Sequence, residues 1–350
     1  MTATSVWLGV LAAASILVAL VRFTVLQGRF AGATPRGSWG RVAVTAVIGA
    51  AVTLALVVFR APGIAPLFAA PIAALGAFFA VVSSSPVRVA SRRSMSVYWY
   101  AAAATAFAAL PATIVVFGTS FDPFATGLGY LDLGGALPGL VSAGSAGSAI
   151  LWLQRRDAGP AVEAKVSWWS ALRPAAALWA AWIVWLVGLE LAIDSKTPII
   201  LTNAILMPIS AAAAASVIER VSHRANTPLG LVTGLVAGLA AATPACAFLD
   251  PRLGVLVALI AGGVCALLPR RGPAYFLGPM VVGAGLGLIL IGGLATNVSF
   301  IYTGQPEVLL GQVVGVLGAA VWSFAVSASL WALFRRIGAP ERATLARSKP

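Results

Sequence analysis

Read from its first residue, the chain alternates long apolar runs with short polar connections. Runs of roughly 17–25 apolar residues have the length of a membrane-crossing helix. Eleven such runs occur, over about 5–27, 40–59, 63–84, 97–118, 131–153, 174–194, 198–218, 229–247, 253–269, 275–297 and 306–334. They are rich in Gly and Ala, the small residues that let helices approach closely in lipid. The pattern predicts an all-α, polytopic membrane protein with about eleven transmembrane helices. The connections are short, so 1–336 reads as a single transmembrane domain, followed by a short basic tail over 337–350.

Composition narrows the picture. Only 9% of residues are charged and 60% are hydrophobic, whereas soluble domains carry roughly 25% charged residues. The net charge of +13 suggests nucleic acid at first sight, but the placement of the basic residues argues against it. They sit in clusters between apolar runs, such as Arg92-Arg93, Arg155-Arg156, Arg270-Arg271 and Arg335-Arg336, the pattern of cytoplasmic loops facing anionic lipid. Counted over alternate connections, nineteen Lys and Arg residues fall on one side. Arg60, Lys196 and Arg252 make three on the other, and Arg22 lies within the first run. The positive-inside rule then puts the N-terminus outside and the C-terminus in the cytoplasm. It also makes 119–130 the longest outer loop, placed to cap a vestibule. The first run has no basic n-region and reads as a span, not a cleavable signal.

Eleven spans fit an inverted repeat of five plus five with a final helix, an architecture common in transporters. The fifth and tenth spans would be equivalent. They open on Leu131–Gly139 and Tyr275–Gly283, both interrupted by Gly and Pro. Candidate chemistry is sparse. Cys246 and Cys265 lie in apolar context and fit no metal or disulfide spacing. His223, the single histidine, falls in a cytoplasmic loop. Asp132 opens the fifth span; a carboxylate there is a functional candidate or a helix cap. Glu190 and Asp194 end the sixth span, where they either attract cations or are simply solvated. Trp179, Trp182 and Trp185 recur at helical spacing, the first two reading as core or lipid-facing, and Tyr98-Trp99-Tyr100 reads as an interfacial belt.

Several motifs resemble the ammonium transporter (Amt/Rh) family. They are Thr202-Asn203-Ala204 with Ala211 to Ala215, Asn226 to Gly230, Gly238 to Ala245, Ala261 to Cys265, Leu131 to Gly144, and Gly311 to Gly315. The resemblance covers about 65–335 and implies the family's eleven-span, N-out fold, a trimer with one pore per subunit, and no cofactor or metal. It also implies specific positions. The family's two pore histidines fall on Leu140 and Met280. The outer gate's aromatic pair falls on Phe79 and Trp185. The recruitment serine falls on Leu189 and its neighbouring asparagine on Leu186, and the motif aspartate falls on Asp132, where it shapes the outer site. The family's tail for a PII-type regulator is Gly-rich and acidic; Ile337–Pro350 is short and basic, a departure that counts against that partner.

Without membrane imidazoles no proton relay is available, and the lining is expected to be apolar. An ammonium transporter-like permease or channel passing ammonia or another small neutral solute fits this pattern. The alternative is a non-transporting sensor or scaffold with the same fold. An enzyme is disfavoured, because no carboxylate pair or nucleophile–base pair lies in the spans.

Overall fold

A computed structural model describes residues 3–31, 39–60, 66–86, 94–118, 130–154, 166–268 and 275–337. Every regular element among them is helical. The long helices are α1 (Ala3–Phe30), α2 (Trp39–Arg60) and α3 (Ala69–Ser83, led in by a 3-10 turn at Pro66–Phe68). Helix α4 begins as Ser94–Ala104, passes through a π-helical segment, Thr105–Ala109, and ends as Leu110–Phe117. Helix α5 opens with the π-helical segment Leu137–Ser142 and continues as Ala143–Gln154. There follow α6 (Trp168–Leu189), α7 (Thr197–His223), α8 (Pro228–Ala245), α9 (Pro251–Ala266), α10 (Leu277–Leu294) and, after one turn at Phe300–Thr303, α11 (Glu307–Ile337). Eight are long and apolar enough to cross a membrane, and α2 and α9 hold shorter apolar stretches. The loop 119–129, expected on the outer side, and the tail 338–350 lie outside the described residues.

The order of neighbours repeats. In the first half α3 packs on α1, α2, α4 and α5, and α2 packs on α4. In the second half α8 packs on α6, α7, α9 and α10, and α7 packs on α9. The halves join where α1 meets α6 and α5 meets α10, and α11 lies outside the repeat against α4, α5 and α10. The closest approaches use glycine. A Cβ at Gly76 of α3 would come within 2.8 Å of the Gly49 carbonyl of α2. One at Gly262 of α9 would lie 2.6 Å from the Ala211 Cα of α7.

Prolines inside the helices reveal a second device. A proline has no N–H for the carbonyl four residues earlier, and lipid offers no water in its place. Three such carbonyls are taken by side chains of neighbouring helices. The Trp179 indole of α6 donates to the Ala204 carbonyl freed by Pro208, at 2.9 Å. The Trp322 indole of α11 donates to the Phe107 carbonyl freed by Pro111, at 2.7 Å. Arg29 of α1 donates to the Ser170 carbonyl freed by Pro174. Trp179→Phe should therefore lower stability by about 1–3 kcal/mol, since it orphans an interior carbonyl. In a Pro208→Ala background, where residue 208 regains its N–H, the same change should be nearly neutral. Thermal unfolding of the four proteins of this cycle checks the coupling; equal losses in both backgrounds would refute it.

Three sequence-level placements change. His223 ends α7 instead of lying in a loop, though its side chain is outside the described atoms. Tyr100 is no interfacial residue: it is fully buried and its hydroxyl bonds Ser327 at 2.7 Å, while Trp99 is exposed. The fifth span becomes helical only near Leu137, because Gly135 has φ +71° and the Gly134 amide donates to the Thr243 carbonyl of α8 instead of to its own helix.

Candidate functional site

Non-helical backbone at membrane depth needs protein partners, and most of the buried polar groups at one end of the bundle serve as those partners. There the approach to α5, the end of α6 and the end of α8 converge. Asp132 accepts the Ala136 amide on one carboxylate oxygen and the Leu137 amide on the other, each at 2.8 Å. The Gln312 amide of α11 donates to the Leu131 carbonyl at 3.0 Å. The Asn203 amide of α7 donates to the carbonyls of Cys246 and Leu249, at 2.9 and 2.8 Å, and so closes the end of α8. The Thr243 hydroxyl accepts from the Trp182 indole at 2.9 Å. Glu190 accepts from the Thr197 hydroxyl at 2.6 Å, and Asp194 accepts the Lys196 amide at 2.7 Å. Burial raises the Glu190 pKa, the Asp194 charge adds to it, and the Thr197 bond opposes it. These acidic groups are engaged in holding loops.

Below this collar lies an aromatic column. Trp182 and Trp185, one helical turn apart on α6, stand 4.6 Å apart at 38°. Both meet Phe78 of α3, at 6.0 and 5.9 Å. Phe78 meets Phe23 of α1, Phe23 meets Phe276, and Phe276 meets Phe30, each between 5.7 and 6.0 Å. The ring that packs against Trp185 is Phe78, the neighbour of Phe79. One residue turns a helix by about 100°, and Phe79, though equally buried, makes no ring pair among the described residues. The Trp185 indole nitrogen has no hydrogen-bond partner among the described residues, and neither has the Ser142 hydroxyl.

Apolar side chains fill much of the packing of α5 on α10, with the Ser142 hydroxyl buried among them. Leu140 lies in the π-helical opening of α5 and Met280 in the first turn of α10. Both are fully buried, on helices that pack together. Leu186 and Leu189 of α6 are buried as well; Leu186 lies against Gly134. Among the described residues Glu219 is the one charged side chain that is fully buried, and it lies at the opposite end. There it accepts the amide and hydroxyl of Thr227, at 3.0 and 2.7 Å, while Thr227 caps α8. No group of His, Cys, Asp or Glu suited to a metal ion occurs among the described residues. Asp132, Asn203 and Gln312 thus bond non-helical backbone through their side chains, and the Thr243 carbonyl takes the Gly134 amide. The spacing of polar residues inside apolar helices was the signal that could have shown it.

Comparison with known proteins adds the rest. Residues 40–271 match the profile described as Ammonium Transporter Family. The ammonium transporter Amt1 of Archaeoglobus fulgidus is 28% identical over 218 residues, 57% of this chain and 54% of that one. The ammonium transporter of Bacillus subtilis is 30% identical over 139 residues, 39% of this chain and 34% of that one. The chain thus spans about half the length of these curated relatives or less. Among solved structures, Mep2 of Saccharomyces cerevisiae superposes with TM-score 0.80 at 17% identity, covering 94% of this chain and 87% of that one. A protein described as Sensor Amt Protein superposes with TM-score 0.76 at 16% identity, covering 95% and 93%. The overall fold is shared with both.

Proposed function

Since this chain belongs to the ammonium transporter family, we propose that it is a membrane permease that passes ammonia, or a neutral solute of similar size, through an apolar pore. One observation carries the reading: the centre holds Leu140 and Met280, both fully buried, where a proton or cation path would need titratable or oxygen-bearing groups. An alkyl constriction rejects ions through dewetting and the cost of stripping their water, and a neutral molecule escapes most of that cost. Asp132 would shape the outer entrance by holding the start of α5, with the Trp182–Trp185–Phe78 cluster as the outer constriction.

In reconstituted vesicles an ammonium gradient should change the internal pH as free ammonia crosses, with no saturable current. A robust ammonium current from the purified protein would overturn this reading. The nineteen-to-three distribution of basic residues supports a cell-membrane orientation with the N-terminus outside, and the family resemblance supports a homotrimer with one pore per subunit. A reporter fused after Pro350 that reads extracellular, or a native mass spectrum of a monomer, would count against these two points.

A further inference from the structure

Two interior indole N–H groups of α6 find an acceptor. Trp182 donates to the Thr243 hydroxyl and Trp179 to the Ala204 carbonyl, each at 2.9 Å. Trp185 finds none among the described residues, although it is 0% exposed and lies one turn from Trp182 on the same helix. Trp331 shares this condition, but it lies in α11, outside the repeat, against Tyr100. The neighbourhood of Trp185 explains the orphan. Its rings are Trp182 and Phe78, and the positions one and four residues further along α6 are Leu186 and Leu189. None of these four side chains carries an oxygen that could accept a hydrogen bond. Buried donors left unpaired are rare in native proteins and call for a specific explanation.

An indole N–H is a donor and nothing else. Its partner must bring a lone pair. Ammonia has one; ammonium presents four N–H groups and none. A donor facing the cation adds repulsion to the cation's desolvation, while a donor facing the free base gains a hydrogen bond. We propose that the Trp185 indole N–H is a specificity determinant that binds the unprotonated amine in the outer constriction and turns away its protonated form. Trp185 would thus select by the direction of a hydrogen bond as well as by charge. The inference rests on the permease reading above and adds the species recognised at one atom. Methylamine, which keeps a lone pair, belongs to the same class of ligand.

The test uses the full chain in lipid bilayers, with the tryptophan indole nitrogens labelled with nitrogen-15. Trp185→Phe deletes one resonance and thereby assigns it. Where that variant does not fold, Phe78→Leu supplies the assignment by removing the ring current of the neighbouring ring. Ammonium chloride is added at equal total concentration at an acidic and at an alkaline pH. The Trp185 resonance should move with the free base and stay still with the cation. Folded Trp185→Phe should pass ammonia about three- to tenfold more slowly, the effect of losing one neutral hydrogen bond. A resonance that responds equally at both pH values, or at neither, overturns the proposal, and ammonia flux in those same vesicles would leave the permease reading standing. A resonance that follows the base in vesicles no leakier to ammonia than protein-free ones would keep the donor site and remove the permease.

Discussion

Gly262→Val should all but abolish folded protein, whereas Gly263→Val next to it should leave yield and melting temperature close to those of the parent. The two glycines are consecutive on α9 and point in different directions. A Cβ at Gly262 would meet the Ala211 backbone of α7, with the Cα at 2.6 Å and the carbonyl carbon at 2.7 Å, while one at Gly263 meets nothing within 4 Å. Because the obstacle is backbone, no rotamer change relieves it, and α7 and α9 must move apart along their shared face. Overpacking a fitted interior costs about 1–3 kcal/mol even where side chains can yield, so this case should exceed that range. Gly262→Ala already carries the offending carbon and should fail in part, although alanine favours helix by about 1 kcal/mol over glycine. Monodisperse yield and thermal unfolding in detergent give the comparison. Tolerance at both positions would mean that the α7–α9 approach is looser than described.

Asp132→Ala should be the most damaging change to a polar residue. The carboxylate takes two amides at the start of α5, one on each oxygen, and a hydrogen bond to a charged group contributes about 1.5–3 kcal/mol. The alanine variant should lose roughly 3 kcal/mol or more of stability. Asp132→Asn keeps one acceptor and turns its own N–H₂ toward the second amide, so it should fall between the two. Unfolding temperatures measured together with ammonia flux separate structure from conduction. An alanine variant of parental stability that no longer conducts would move Asp132 from the framework into the permeation site. Parental behaviour in both measurements would remove it from either role.

The helices were legible from the length and apolarity of the runs: the eleven runs correspond to α1 to α11, eight of which are long and apolar enough to cross a membrane. The five-plus-five organisation was legible from the count of spans, but of the two Gly/Pro openings only the one at Gly134-Gly135 departs from helix; α10 runs unbroken from Leu277 with Pro279 in its first turn. What escaped lay in the direction of side chains. Position 79 could be matched by motif but not oriented, and the structure turns Phe78 toward Trp185. Trp179 read as core or lipid-facing because an indole in an apolar helix has no visible partner; that partner is a carbonyl orphaned by Pro208 on another helix. The π-helical segment at Thr105–Ala109 likewise depends on Trp322 and Ser323, more than two hundred residues away, to receive its carbonyls. The unanswered N–H of Trp185 appears only once every neighbour is in place.

Helices that touch backbone to backbone also bear on energetics in time. At Gly188 of α6, where a Cβ would lie 3.0 Å from the Leu8 carbonyl oxygen of α1, and at Gly144 of α5, where one would lie 3.0 Å from the Leu277 carbonyl oxygen of α10, there is no clearance in which one half could slide past the other. A cycle of rocking half-domains would have to pull these contacts apart at every turnover and would carry a large activation enthalpy. Passage through a fixed lining carries only the barrier of moving one small molecule out of water and between side chains. Flux through such a framework should rise gently on warming and grow in proportion to the gradient, as diffusion does.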